Sequence, residues 1–180
     1  ASPSAGGNRP YDGQLAIEGS ETTGAINTGG VLAFIGHSGS GSRGFGSIRC
    51  LKEDGTSGNY GSYMSFETRT NGSAPAEKVR IDSSGRVLIG TTTEGHENAD
   101  DLTIATSGTG GITIRSGTSN SGAIYFSDAT SGAAEYAGFL AYSHANNSMV
   151  FGTNTAEKLR IMSNGYFGLG INSPSRRVHI

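Results

Sequence analysis

Two segments of this sequence contain residue types and spacings that could bind a ligand or a metal. Residues 39–44 read Gly-Ser-Gly-Ser-Arg-Gly, the G-x-G-x-x-G spacing of loops that approach a dinucleotide phosphate. Residues 94–101 bring together Glu94, His96, Glu97, Asp100 and Asp101. Carboxylates and imidazoles are the groups that divalent cations take as ligands.

Neither segment has the context that its chemistry needs. A dinucleotide loop is followed by a helix and, about 20 residues on, by an acidic residue. Here the alternating residues Phe45–Leu51 follow instead, and they predict a strand. We therefore interpret residues 39–44 as a hairpin loop and residues 94–101 as a solvated linker. No G-x-S-x-G elbow occurs in a helical context, so we expect no catalytic site, no metal site and no cofactor.

Aromatic residues in loops are the better candidates for recognition. Tyr60 lies between glycines, while Tyr142 precedes a polar stretch that contains His144 and Asn146. A ring face with a polar tip suits both carbohydrate and protein surfaces. We predict that these four residues contact a receptor.

The composition limits the classes of partner. With 13 basic and 15 acidic residues and no cluster of basic residues, the chain lacks the basic patch that nucleic-acid binding requires. No apolar run reaches the roughly 20 residues of a membrane span, so we expect no membrane insertion. Glycine contributes 30 of 180 residues, and aliphatic residues are few. Because so thin a core offsets little conformational entropy, we expect association with identical chains.

The chain contains an internal repeat. The matched segments alternate apolar and polar residues and are bounded by Gly, Asn, Ser or Asp, which predicts short strands. The matched pairs are Gly30–Phe34 with Gly122–Phe126, Gly46–Ile48 with Gly138–Leu140, Met64–Thr68 with Met149–Thr153, and Ala76–Gly85 with Ala156–Gly165. Six or seven strands fall in each of two copies. The repeat also predicts a strand, not a helix, over Ala133–Tyr142.

The repeat predicts the domain boundaries and four structural glycines. Segments of the form [LV]-x-I at residues 15, 102 and 178 are interpreted as starts of successive copies. This gives an N-terminal lead over 1–14, copies over 15–101 and 102–177, and the start of a third over 178–180. Gly85, Gly90, Gly165 and Gly170 occupy matched positions, where we predict turns or close packing. The fold class is therefore all-β, with glycine-rich repeated sheet and hairpin units.

The most specific motif is E-K-[LV]-R-I-x-S-x-G-x-[VF]-x-[IL]-G. It covers Glu77–Gly90 and Glu157–Gly170, and the second copy is followed by Asn172-Ser173-Pro174 and Val178-His179-Ile180. With its upstream strands it resembles tail fibre proteins of tailed bacteriophages over about Leu15–Ile180. The resemblance implies an intertwined homotrimeric β fibre of the virion, extracellular, joined to other tail or baseplate proteins and contacting a host surface glycan or protein. The S-D-x-R-x-K signature of an endosialidase-type intramolecular chaperone does not occur in this sequence.

Other functions stay open from the residues alone. A bacterial surface adhesin or filament subunit would show the same strand pattern. A polysaccharide-degrading spike would need paired acids in a groove. An ice-binding β protein would need a regular Thr array, and Thr91–Thr93, Thr103 and Thr113 show no fixed short period.

Overall fold

A computed structural model describes residues 16–21 and 24–180 of the chain. The predicted lead over 1–14 and the first residue of copy one, Leu15, lie outside the described residues. The all-β prediction is confirmed: this part contains β-strands and one short 3-10 helix, with no α-helix. None of its helical segments has the length and apolar character needed to cross a membrane.

The first compact unit, which ends at Gly111, contains one sheet of six strands. The strands are β1 (Gly29–His37), β2 (Ser42–Lys52), β3 (Ser62–Arg69), β4 (Pro75–Ile81), β5 (Val87–Ile89) and β6 (Leu102–Ile104). Their order in the sheet follows the chain, and each pairs antiparallel with the next up to β5. β6 pairs parallel with β5, after a crossover through residues 90–101.

The second unit, residues 112–180, repeats this sheet. Its strands are β7 (Ser121–Phe126), β8 (Gly138–Ser143), β9 (Ser148–Thr153), β10 (Ala156–Ile161), β11 (Phe167–Leu169) and β12 (Val178–His179). The last pair, β11 and β12, is again parallel. Six strands in each unit agree with the sequence prediction.

The predicted strand over Ala133–Tyr142 is wrong in its first half. Ala133–Tyr136 forms a 3-10 helix, and β8 begins only at Gly138. The Ala134 carbonyl accepts a hydrogen bond from the Asp128 amide within the connection (3.4 Å), which folds it into a compact turn. Alanine and glutamate favour helical backbone, and no neighbouring strand is available there to override that preference.

The copy boundary predicted at Leu102 also differs from the structure. Leu102–Ile104 is the last strand of the first sheet, and Val178–His179 closes the second in the same way. The segment that opens the second unit is instead Ile112–Ile114, where the Ile114 side chain approaches Gly122 as Ile17 approaches Gly30. The three apolar patterns look alike in sequence, and only strand pairing separates an opening segment from a closing strand.

Glycines at matched positions form the same turns in both units. Gly85 and Gly165 have φ of +85° and +79°, and their amides donate to the carbonyls of residues 82 and 162 at 3.0 and 2.9 Å. Gly90 and Gly170, which follow β5 and β11, have φ of +74° and +70°. This left-handed backbone is strained for residues with a Cβ, which accounts for glycine at all four positions.

Candidate functional site

Each sheet has one face made almost entirely of apolar side chains, called here the apolar face. Side chains alternate across a strand, so residues paired in register share a face. In the first unit one cross-strand row is Leu32, Ile48, Phe66, Val79, Ile89 and Ile104, and the next is Gly30, Cys50, Met64, Ile81, Val87 and Leu102. The second unit repeats both rows. They are Ile124, Leu140, Phe151, Leu159 and Leu169, then Gly122, Tyr142, Met149, Ile161, Phe167 and Val178.

The apolar face is exposed in the single chain. Phe66 keeps 38% and Phe151 41% of its accessible surface, and Leu32, Met64, Ile81, Ile124 and Ile161 are similarly exposed. A contiguous apolar surface of this kind is uncommon on a monomer and marks an interaction surface. The equivalence of the two units places the same kind of surface on both.

The opposite face of each sheet, called here the ion-pair face, carries the core. The four buried large apolar residues among the described residues, Leu51, Tyr63, Leu88 and Val150, all lie on it. Arg80 donates to both carboxylate oxygens of Glu77, at 2.8 and 2.9 Å, and Arg160 repeats this pairing with Glu157. Such a bidentate pair is geometrically fixed.

A stacked ring supports the pair in the first unit. The Arg80 guanidinium carbon lies 3.7 Å from the centre of the Tyr63 ring, and the Tyr63 hydroxyl donates to Asn27 Oδ1 at 2.7 Å. The hydrogen bond to Glu77 raises the pKa of Arg80, while burial raises the pKa of Tyr63. Long polar side chains thus shield this face from water with their stems, which leaves the apolar face as the surface without a cover.

Ser65 lies beneath this arrangement with an unsatisfied hydroxyl. It is 1% exposed, its Oγ has no hydrogen-bond partner, and its equivalent in the second unit is Val150. We expect Ser65→Ala to raise the free energy of unfolding by about 1 kcal/mol, because a buried hydroxyl without a partner carries its desolvation cost. Urea unfolding measures this, with the exposed Ser62→Ala as control. A lower free energy of unfolding would contradict the prediction.

The acidic segment 94–101 folds back onto one arginine. Arg86 donates from Nε to Asp82 Oδ2 (2.6 Å) and from Nη1 to Asp100 Oδ2 (3.0 Å), with Glu94 Oε1 3.9 Å away. Within residues 16–21 and 24–180, no group of three His, Cys, Asp or Glu side chains is placed to hold a metal ion. Because Arg86 bonds to Asp82 in the β4–β5 turn and to Asp100 in the crossover between β5 and β6, it ties the crossover to the turn. In the second unit the equivalents of Asp82 and Arg86 are Met162 and Tyr166. The side-chain pair is therefore lost, and only the hydrogen bond from the backbone amide of the first residue to the carbonyl of the second is kept (2.9 Å).

Asp82 makes the stability of the first unit sensitive to acid. Burial acts to raise the pKa of its carboxyl, but hydrogen bonds from the backbone and guanidinium of Arg86 and from the Ser84 amide outweigh it, and the pKa is lowered from 3.8. A lowered pKa gives stability that is present above the unfolded value and lost as pH falls through the folded one.

In Asp82→Asn we expect a lower free energy of unfolding at neutral pH than in the wild type. We also expect that free energy to decrease less steeply as the pH is lowered from about 5 to 2. Urea unfolding at several pH values checks it. The exposed Asp128→Asn should leave the slope unchanged, and equal slopes for Asp82→Asn and the wild type would count against the role of Asp82.

The structure places the four predicted receptor residues in two different units. Tyr60 lies in the β2–β3 loop and is 92% exposed. Tyr142 and His144 lie at the β8–β9 hairpin, with ring centres 5.0 Å apart, and Asn146 accepts a hydrogen bond from Ser148 at 2.7 Å. Tyr142 and His144 also line an apolar cavity of about 260 Å³ beside Ile112 and Ile114. Receptor contact by these residues stays a prediction.

Residues 39–44 form the loop of the β1–β2 hairpin and the first residues of β2, as predicted. The Ser38 amide donates to the Gly41 carbonyl at 2.9 Å, and no helix follows. Sequence reasoning missed two features. One is the Arg86 cluster, since its members are spread from Asp82 to Asp100. The other is a polar cavity beside this hairpin, whose lining residues lie on two hairpins.

No family model matches this chain, and no curated protein matches it. Solved structures similar to it include two chains of one phage tail fibre. One is the carboxy-terminal domain of the bacteriophage T5 L-shaped tail fibre with its intramolecular chaperone domain: 13% identity, 97% of this chain covered, TM-score 0.40. This chain spans 64% of that chain's length. The other is the carboxy-terminal domain of the same fibre, with 13% identity, 97% of this chain and 92% of that chain covered, and a TM-score of 0.39. Both are tail fibre chains.

Proposed function

We propose that this chain is a structural segment of a bacteriophage tail fibre, and that it assembles as a homotrimer through its apolar faces. The observation that carries the proposal is the pair of apolar faces, one on each unit, left exposed by a chain whose ion-pair faces hold its core. The simplest way to bury these apolar faces is against the same faces of a second and a third copy of the chain, because identical chains present identical apolar surfaces.

The energetics favour association. A fully buried Leu, Ile or Phe side chain stabilises a protein by roughly 1.5–3 kcal/mol relative to an exposed one. The apolar faces hold more than ten such side chains at partial exposure. A chain this rich in glycine has a large conformational entropy to offset, which makes the assembled state the one in which the fold is stable.

Within a virion, such a fibre would act by contact instead of catalysis. Its partners would be identical chains, other tail or baseplate proteins, and a glycan or protein on the host surface. Weak contacts repeated on each chain multiply into a usable avidity. The exposed loops, with Tyr60 as the most exposed tyrosine among the described residues, are where we expect those contacts.

Light scattering of the purified chain after gel filtration tests the assembly. We expect a mass three times that of the 18.4 kDa chain, and resistance of the trimer to SDS without heating. A folded, stable monomer would overturn the proposal. A different closed oligomer would keep the self-association and overturn the number three.

A further inference from the structure

A polar cavity lies at one end of the first sheet, where two hairpins meet. The β1–β2 loop and the β3–β4 loop border a space of about 470 Å³. Its lining includes Ser38, Ser40, Arg43, Phe45, Arg69 and Asn71. Cavities of roughly 300–1,000 Å³ with a few convergent polar groups are typical of ligand sites.

The charge of this cavity is positive and uncompensated. Arg43 and Arg69 form no ion pair in the described part of the chain, in contrast to Arg49, Arg80, Arg86 and Arg160. Each donates one hydrogen bond to a backbone carbonyl: Arg43 to Ser42 and Arg69 to Gly44, both at 3.0 Å. No Asp or Glu lines the cavity.

Two guanidinium groups with free N–H donors favour an anionic ligand. The guanidinium presents five donors in a planar fork that matches a carboxylate or a phosphate. The Arg69 hydrogen bond runs from β3 to β2, so the position of that guanidinium is tied to the neighbouring strand and not only to its own.

The remaining lining suits a sugar ring. The Phe45 ring lies across Gly36, where a Cβ would overlap it, and forms an apolar wall. Ser38 and Ser40 hydroxyls lie 3.3 Å apart, and Asn71 contributes an amide. An aromatic face with hydroxyl and amide groups beside it binds the C–H face and the hydroxyls of a saccharide.

The second unit does not repeat the loops and arginines that border this cavity, because its two connections differ. The β9–β10 hairpin turns through Asn154 and Thr155, whose φ values are +50° and +61°. The β7–β8 connection carries the 3-10 helix, with Asp128 and Glu135 and no arginine. Features that the sheet requires recur in both units, so the sheet itself does not require this cavity or its two arginines.

We propose that this cavity, with Arg43 and Arg69 as the charged groups and Phe45 as the wall, binds an anionic saccharide, a sugar that carries a carboxylate or a phosphate. The inference rests on the proposed attachment role and gives it a ligand class. Phosphate and carboxylate share the same recognition chemistry, and the choice of probe separates them.

Titration calorimetry of the full chain tests the site with four probes. These are a tetrasaccharide containing glucuronate, a hexose 6-phosphate, a neutral chitotetraose and inorganic phosphate. We expect at least one anionic sugar to bind, and to bind more tightly than chitotetraose and inorganic phosphate. Failure of both anionic sugars, equal binding of the neutral sugar, or equal binding of inorganic phosphate would each overturn the proposal.

Substitutions place the binding in this cavity. Arg43→Gln and Arg69→Gln should each weaken the bound sugar about tenfold or more, since a charge-assisted hydrogen bond is lost. Arg176→Gln, at an exposed arginine of the second unit, should leave affinity unchanged. Unchanged affinity in Arg43→Gln would overturn the site. Light scattering of the same samples reports assembly separately, so a wild-type chain that forms an intact trimer but binds neither anionic sugar rejects the cavity and not the fibre.

Discussion

Phe66→Glu and Phe151→Glu should each convert the assembled chain into smaller species, and the double variant should be monomeric at micromolar concentration. The two phenylalanines occupy equivalent positions at the centre of the two apolar faces, paired with Ile48 and Val79 in one unit and with Leu140 and Leu159 in the other.

The expected size of the effect follows from two losses. Each chain gives up the burial of a phenylalanine and places a carboxylate against apolar surface, a loss of at least about 3 kcal/mol per chain. This loss corresponds to an association constant that is lower by more than a hundredfold for each chain that carries the substitution. Because every copy carries the change, the effects combine in the oligomer.

Ser83→Glu and Ser163→Glu are the matched controls, since they add the same charge at the exposed hairpin turns of the same units. Sedimentation velocity and light scattering measure the mass. We expect both controls to keep the wild-type mass. An unchanged mass in the double phenylalanine variant would show that assembly uses another surface.

Gly90→Ala should destabilise the protein far more than the equivalent Gly170→Ala. Both glycines have positive φ, +74° and +70°, so each alanine carries a backbone strain of about 1–2 kcal/mol. A Cβ at Gly90 would in addition overlap the Ala105 carbonyl oxygen, whereas nothing lies within 4 Å of a Cβ at Gly170. We expect a total of about 3 kcal/mol or more for Gly90→Ala, because the backbone must move to relieve the overlap.

The free energy of unfolding from urea titration measures both variants. Hydrogen exchange at the Ala105 amide, which donates to the Ile89 carbonyl at 2.9 Å, locates the damage at the β5–β6 pairing. Faster exchange there in Gly90→Ala, with slow exchange kept in Gly170→Ala, is the expected pattern. Equal destabilisation by the two substitutions would mean that the overlap is relieved at no cost and that φ alone determines the effect.

The two units act as natural variants of one another. The Arg–Glu bidentate pair and the positive-φ glycines occur in both. The Asp82–Arg86 pair and the Arg43–Arg69 pair of the cavity occur only in the first unit: Met162 and Tyr166 replace the one, and the second unit has no arginine in its β7–β8 connection or its β9–β10 turn. The shared features are those that form the sheet, and the unshared ones are those that can be changed without losing it.

The sequence by itself determined the strand content, the number of copies and the turn glycines. These depend on local rules: period-two alternation places Leu32, Ile48 and Phe66 on one face, and a position of positive φ requires glycine whatever surrounds it. For the same reason the hairpin interpretation of residues 39–44 could be made before the fold was known.

Tertiary structure decided which contacts the local patterns make. The parallel pairing of Leu102–Ile104 with β5 moved a predicted boundary, because a [LV]-x-I pattern does not encode its partner strand. The Arg86 cluster and the Arg43–Arg69 cavity bring together residues that are distant in sequence. Most of all, only the packed sheets reveal that the polar, ion-paired face is the covered one and the apolar face is exposed, because burial depends on what lies against a face and not on the residues within it.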